Sequence, residues 1–144
     1  MSTVYSIGYT KEVASRKVSP GEWGAVMRYY YDEYEAVALA AGSTLYMFLP
    51  APGERYAGFG QLAWDDLSGT NTYTIAVGIA GTTGAFLAAT NVVAAADKAD
   101  LDAGAAAITY LGYEFNGDTP VIITTAGTQS ATGTVQLGLA VFAV

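Results

Sequence analysis

The stretch Thr72-Tyr73-Thr74-Ile75-Ala76-Val77-Gly78-Ile79 alternates with a period of two. Tyr73, Ile75, Val77 and Ile79 fall on one face, and Thr72, Thr74, Ala76 and Gly78 on the other. That period belongs to a β-strand; wound into a helix, the same residues would scatter their apolar side chains around the axis. Val135 to Val144 repeats the pattern, with Val135, Leu137, Leu139, Val141 and Ala143 sharing a face. A terminal strand this apolar is expected to lie buried in a sheet.

Other segments read the same way. Leu45 to Leu49 is a short apolar run closed by Pro50-Ala51-Pro52-Gly53, which is turn chemistry. Arg55 to Leu67 alternates loosely, and Gly58 and Gly60 mark a bend or bulge. Ile108 to Phe115 is expected as a strand, with Ile108, Tyr110 and Gly112 opposite Thr109, Leu111, Tyr113 and Phe115. Asn116-Gly117 follows as a turn, Pro120 to Thr125 as a Val/Ile/Thr strand, and Gly127 to Gly133 as a loop. About eight strands at regular spacing predict an all-β chain, an antiparallel sandwich or barrel.

Two segments conflict with that frame. Ser19-Pro20-Gly21-Glu22 has the form of a capping box with Pro at the first helical position. Met27, Tyr30, Tyr31, Tyr34, Val37, Ala38 and Ala41 then recur at helical spacing. Gly21, Gly24 and the strand-favouring Tyr29-Tyr30-Tyr31 argue the other way, and the local signal leans to helix. Phe86 to Ala99 is rich in Ala and is expected to form one or two helical turns. Residues 1–24 carry three of the six Lys and Arg and no sustained alternation, so they read as an extended N-terminal arm ahead of a single β domain over 25–144.

Composition removes much chemistry. With no Cys there is no disulfide, thiol nucleophile or thiolate metal site; with no His there is no histidine-based triad. Six basic against 13 acidic residues give −7, which excludes broad phosphate neutralisation and disfavours nucleic acid as a partner. No secretory signal stands out near Met1 to Gly8. Leu67 to Ala96 is uncharged, yet the Gly, Thr and Asn within it break any ~20-residue apolar span, so no membrane partner is expected. The charged fraction is 13%, about half the usual ~25%, and 52% of residues are hydrophobic. Such a surface is expected to be covered by copies of itself or by a partner.

Candidate chemistry is sparse. Asp65 and Asp66 are strand neighbours that point to opposite faces, so they cannot flank one sugar as a glycosidase requires. Asp97, Asp100 and Asp102 offer oxygen ligands suited to calcium without the spacing of an EF-hand, and read as a solvated acidic loop. The aromatic set Tyr29, Tyr30, Tyr31, Tyr34, Tyr46, Tyr56, Tyr73, Tyr110, Tyr113, Trp23 and Trp64 suits a strand core or a protein interface, with sugar stacking as the alternative. Gly58-Phe59-Gly60 and Gly78-Ile79-Ala80-Gly81 lack the Lys-Ser/Thr and the helix of a phosphate loop. No enzyme, cofactor or catalytic residue is expected.

From Ala38 onward the chain resembles small virion structural proteins of tailed bacteriophages. The matching stretches are Ala40 to Pro50, Arg55 to Leu62, Tyr73 to Gly81, Phe86 to Thr90 and Thr134 to Val144, with Tyr5-x-x-x-Tyr9-Thr10 near the start. Pro52-Gly53-Glu54 departs from the class, which often has a shorter turn. The helical signal at 19–41 also departs, because the class has a strand there, and the resemblance reverses that local preference. It implies an antiparallel jelly-roll-like β-sandwich that decorates or cements the outer surface of the capsid in the virion, bound to the major capsid protein and often a homotrimer. The arm residues Tyr5, Tyr9, Lys11, Arg16, Lys17 and Trp23 become the expected interface. The alternative within the same virion is a head-fibre or tail accessory protein that binds host glycans or a receptor.

Overall fold

The computed structural model describes residues 3–5, 26–67, 72–93, 95–101 and 110–143. Nine strands run through them in chain order: β1 (Thr3–Tyr5), β2 (Val26–Ala40), β3 (Thr44–Phe48), β4 (Glu54–Trp64), β5 (Tyr73–Ile79), β6 (Thr82–Asn91), β7 (Asp97–Asp100), β8 (Val121–Gly127) and β9 (Ser130–Ala143). They form a five-stranded sheet, ordered β1-β3-β8-β5-β6, and a four-stranded sheet, ordered β2-β9-β4-β7. Consecutive strands lie in different sheets at every step except β5 to β6. Every pairing is antiparallel apart from β1 with β3, which is parallel and so departs from a purely antiparallel sandwich.

The two alternating segments do what their period dictates. In β9, Val135, Leu137, Leu139 and Val141 are buried, and β9 sits between β2 and β4. In β5, Tyr73, Ile75, Val77 and Ile79 enter the same core from the other sheet. Each such side chain contributes about 1.5–3 kcal/mol by leaving water. One end of the core is aromatic: Phe86 lies 4.7 Å from Tyr56 and 6.1 Å from both Phe115 and Tyr110, centroid to centroid.

The helical signal at 26–41 is overridden. β2 pairs with β9 from Val26↔Ala143 to Glu35↔Thr134 without a break, so Tyr30 and Tyr34 face the core while Tyr29 and Tyr31 face out. Pairing along a buried central strand outweighs the few tenths of a kcal/mol of helix preference per residue. Helical turns are absent from the described part of 86–99 for the same reason: β6 is held against β5, and Asp97–Asp100 is the edge strand β7 rather than a loop. Ser130 to Gly133, expected in a loop, already belong to β9 through Ala40↔Ser130 and Ala36↔Gly133.

The expected strand at 108–115 is not formed where it is described. Ile108 and Thr109 lie outside the described residues, and Tyr113 N–H closes a turn on the Tyr110 carbonyl. The segment then runs antiparallel beside the start of β4, with Phe115 N–H donating to the Glu54 carbonyl, Tyr56 N–H to the Tyr113 carbonyl and Gly112 N–H to the Tyr56 carbonyl, around the pair Arg55 and Glu114. The expected turn at Asn116-Gly117 is present, with Asn116 Oδ1 accepting the Asp118 N–H.

The bend expected at Gly58 and Gly60 is a bulge. The β4–β9 register slips between Tyr56 and Gly60, so residues 57–59 stand opposite the single residue Ala140. Gly58 has φ +88°, and a β-carbon on Gly60 would collide with the Gly138 carbonyl oxygen. Only glycine allows the strands to approach this closely there.

Candidate functional site

The register of the four-stranded sheet lays its outer face out in rows running from β2 across β9 to β4 and beyond. Met27, Phe142 and Arg55 form the first row, which Glu114 extends through its 2.7 Å ion pair with Arg55. Tyr29, Ala140 and the bulge form the second, flanked by Leu111, whose side chain lies against Gly58. Tyr31, Gly138, Gln61 and Asp100 make the third, and Gln61 Nε2 donates to Asp100 Oδ1 at 3.1 Å. Glu33, Gln136, Ala63 and Lys98 make the fourth. Glu35 and Thr134 begin the fifth, which ends at Asp65, whose N–H donates to the Thr134 carbonyl.

The β2 side of the first three rows and the bulge are apolar and open. Met27, Tyr29 and Tyr31 are 58%, 56% and 58% exposed, and Phe59 and Leu111 are exposed beside the bulge. The hydroxyl end of Tyr29 lies over Gly138, in the space a β-carbon there would fill. Glycine at 138 therefore lets the Tyr29 ring lie across the sheet, and the small Ala140 beneath it is fully buried. The last rows are polar and acidic. Glu33, Glu35, Ala63, Trp64, Asp65, Thr134 and Gln136 line a shallow groove of about 440 Å³. Glu33 Oε2 accepts from Gln136 Nε2 at 3.3 Å and from the Tyr31 hydroxyl at 3.5 Å. Partial desolvation, then the Glu33 charge and hydrogen bond and the Asp32 charge, hold the Tyr31 hydroxyl above its ordinary pKa of 10.0 and keep it a donor.

The inner face of β2 is tied down by one carboxylate. Glu54 opens β4 at 2% exposure; its Oε1 accepts from Arg28 Nη1 at 3.1 Å, and its Oε2 accepts from the Tyr30 hydroxyl at 2.6 Å and the Ala51 N–H at 2.8 Å. Tyr30 also stacks on Phe48, with centroids 5.4 Å apart. These contacts anchor Arg28 and Tyr30 on the inner side of β2, the side that the register with β9 turns inward.

The aromatic residues noted in the sequence are therefore divided. Tyr56, Tyr73 and Trp64 are core; Tyr30, Tyr34, Tyr110 and Tyr113 pack against it; Tyr29 and Tyr31 form the open face. Of the arm residues, Tyr5 belongs to β1, level with Tyr46 of β3, while Tyr9, Lys11, Arg16, Lys17 and Trp23 lie outside the described residues. Asp65 and Asp66 are exposed just past β4. Asp97 and Asp100 are exposed in β7, and Asp102 lies outside the described residues. Among the described residues no group of three or more acidic side chains is placed to hold a metal ion. Phe59, Leu111 and Phe142 were not singled out for a surface from the sequence, because only the bulge and the β9 register bring them beside Tyr29.

No protein-family model and no curated protein matches this sequence. Among solved structures, the fold is similar to a chain of the Cyanophage Pam1 capsid asymmetric unit, at 22% identity and TM-score 0.66, over 92% of this chain and 96% of that one. It is also similar to a chain of the capsid of Ralstonia phage GP4, at 19% identity and TM-score 0.68, over 99% of each chain. At these identities the likeness is one of architecture: this chain has the two-sheet fold of both capsid chains, nearly end to end.

Proposed function

We propose that the protein is a capsid decoration, or cement, protein of a tailed bacteriophage, which binds the outer surface of the shell built by the major capsid protein and stabilises it. The observation that carries this reading is the end-to-end likeness to chains of this size from two phage capsids, which leaves little of either neighbour unmatched. The low charge and the open apolar rows support it, since both favour a surface that ends up covered. The role asked of the chain is passive, with no catalytic step, cofactor or nucleic-acid partner.

In mechanism, the protein docks across seams between major capsid subunits after shell expansion. Self-association, as a homotrimer, repeats each contact by symmetry, and many modest contacts add up to resist internal pressure. Lys11, Arg16 and Lys17 of the arm meet acidic loops of the shell, an attraction that weakens in salt. The test is to add purified protein to expanded, undecorated capsids and image the particles. Density at full occupancy on the outside is expected, with lower occupancy for Lys11→Ala/Arg16→Ala/Lys17→Ala, which leaves β1 in place. Absence of wild-type density overturns the reading.

A second reading, binding of host glycans by a head-fibre or tail accessory protein, is favoured by one observation. Tyr29 presents a ring lying across the sheet over Gly138, on the face that also carries a groove lined with carboxylates and an amide that suit sugar hydroxyls.

A further inference from the structure

We infer that the outer face of the four-stranded sheet is the seat on the shell, and that it meets an apolar ridge bordered by Lys or Arg side chains. The inference rests on the decoration reading above and names the face, its orientation and the chemistry of the surface it takes.

Three observations lead there. Among the described residues, Met27, Tyr29, Tyr31, Phe59 and Leu111 account for nearly all the exposed large apolar side chains, and all five border the first three rows of this face or its bulge. Among the described residues no comparable cluster is exposed on the five-stranded sheet.

Size argues for a repeated seat over a lone tight pair. Successive rows are about 7 Å apart along the strands and neighbouring strands about 4.8 Å apart. Five rows across three strands and their neighbour therefore cover roughly 400–600 Å². A stable isolated pair uses about 800 Å² per partner. A face of this size gains its strength from many copies bound to one shell.

Charge argues against a second copy as the occupant. The fourth and fifth rows carry Glu33, Glu35 and Asp65, the Arg55 charge is already matched by Glu114, and Lys98 at the edge is the remaining cation of these rows. Two copies paired face to face by a two-fold would set these carboxylates either against each other or over the apolar rows of the other copy, and would join two chains of net charge −7. A partner with basic side chains beyond its apolar ridge places them over the groove, with like charges kept apart. Face-to-face pairing of copies and glycan binding are the competing occupants.

The test compares wild-type protein with Tyr29→Ser/Tyr31→Ser and Glu33→Lys/Glu35→Lys on expanded, undecorated capsids, by occupancy against concentration at two salt concentrations. All four positions are exposed, and circular dichroism with a thermal scan confirms that each variant is folded. The tyrosine variant is expected to lose at least tenfold in affinity. The lysine variant is expected to lose about as much at low salt, and its affinity is expected to depend less on salt than that of the wild type. Wild-type binding with both variants unimpaired overturns the inference while leaving the decoration reading in place. Failure of the wild type to bind sinks both. The inference is also overturned if the variants keep shell binding but lose self-association in ultracentrifugation, or lose binding to a glycan array instead.

Discussion

Glu54→Gln isolates the buried contact that anchors the inner side of β2 to the start of β4. The substitution keeps the volume of a buried side chain that ties β2, the turn before β4 and β4 itself together through three donors. The amide oxygen can still accept from the Tyr30 hydroxyl and the Ala51 N–H, but both bonds lose the carboxylate charge. A bond to a charged partner is worth about 1.5–3 kcal/mol and a neutral one about 0.5–1.5, so the two together weaken by about 2 kcal/mol. The amide NH2 then faces the Arg28 guanidinium, donor against donor. The Arg28 side chain is 33% exposed and can turn to water, which limits that loss to about 1 kcal/mol. The total, about 3 kcal/mol, corresponds to a fall in Tm of roughly 10 °C for a chain of this length. Guanidinium unfolding followed by circular dichroism measures it, and Arg28→Met/Glu54→Gln closes a double-mutant cycle with an expected coupling of about 1 kcal/mol. A loss below about 0.5 kcal/mol, or strict additivity, would refute the claim that this carboxylate holds β2 in register.

Gly60→Ala is expected to cost about 2–3 kcal/mol, since its β-carbon meets the Gly138 carbonyl oxygen, Leu101 Cδ1 at 2.7 Å and Leu139 Cα at 3.1 Å, two of them backbone atoms that cannot move aside. Gly138→Ala meets first the far end of the exposed Tyr29 side chain, which can swing away, and should change stability by less than about 0.5 kcal/mol; equal losses in the two unfolding curves would contradict the bulge geometry. Burial raises the pKa of Tyr73 above 10.0 against a smaller lowering by its hydrogen bond with Thr125. As the pH climbs past about 10 the unfolded chain therefore ionises Tyr73 first, and the folded state loses stability with rising pH. Tyr73→Phe removes that contribution: it should cost about 1 kcal/mol at neutral pH, for the bond to the Leu39 carbonyl, and flatten the alkaline decline, and parallel curves would show that Tyr73 does not contribute.

Where the apolar period was unbroken, as in β5 and β9, the sequence was enough to assign both the strand and its buried face. It also located the bend at Gly58 and Gly60 and the turns at Pro50 and Asn116, because glycine, proline and asparagine restrict or release the backbone locally whatever surrounds them. It separated core from open face poorly among the tyrosines. Tyr29, Tyr30 and Tyr31 are chemically identical, and their fates differ only through which neighbour each one meets.

A chain built mostly of strands, without thiol or imidazole chemistry, strongly acidic and weakly charged, follows from the amino-acid sequence alone, since strand periodicity and side-chain inventory are local properties; that β2 and β6 are strands as well was decided by their pairing with β9 and β5. The outer face does not follow from the sequence alone either. Its rows exist because β9 threads between β2 and β4, because Glu54 anchors the inner side of β2, and because two glycines let β4 and Tyr29 approach a backbone closely. Those are encounters between residues as much as 115 positions apart, as Met27 and Phe142 are, and they are settled only when the two sheets close on their common core.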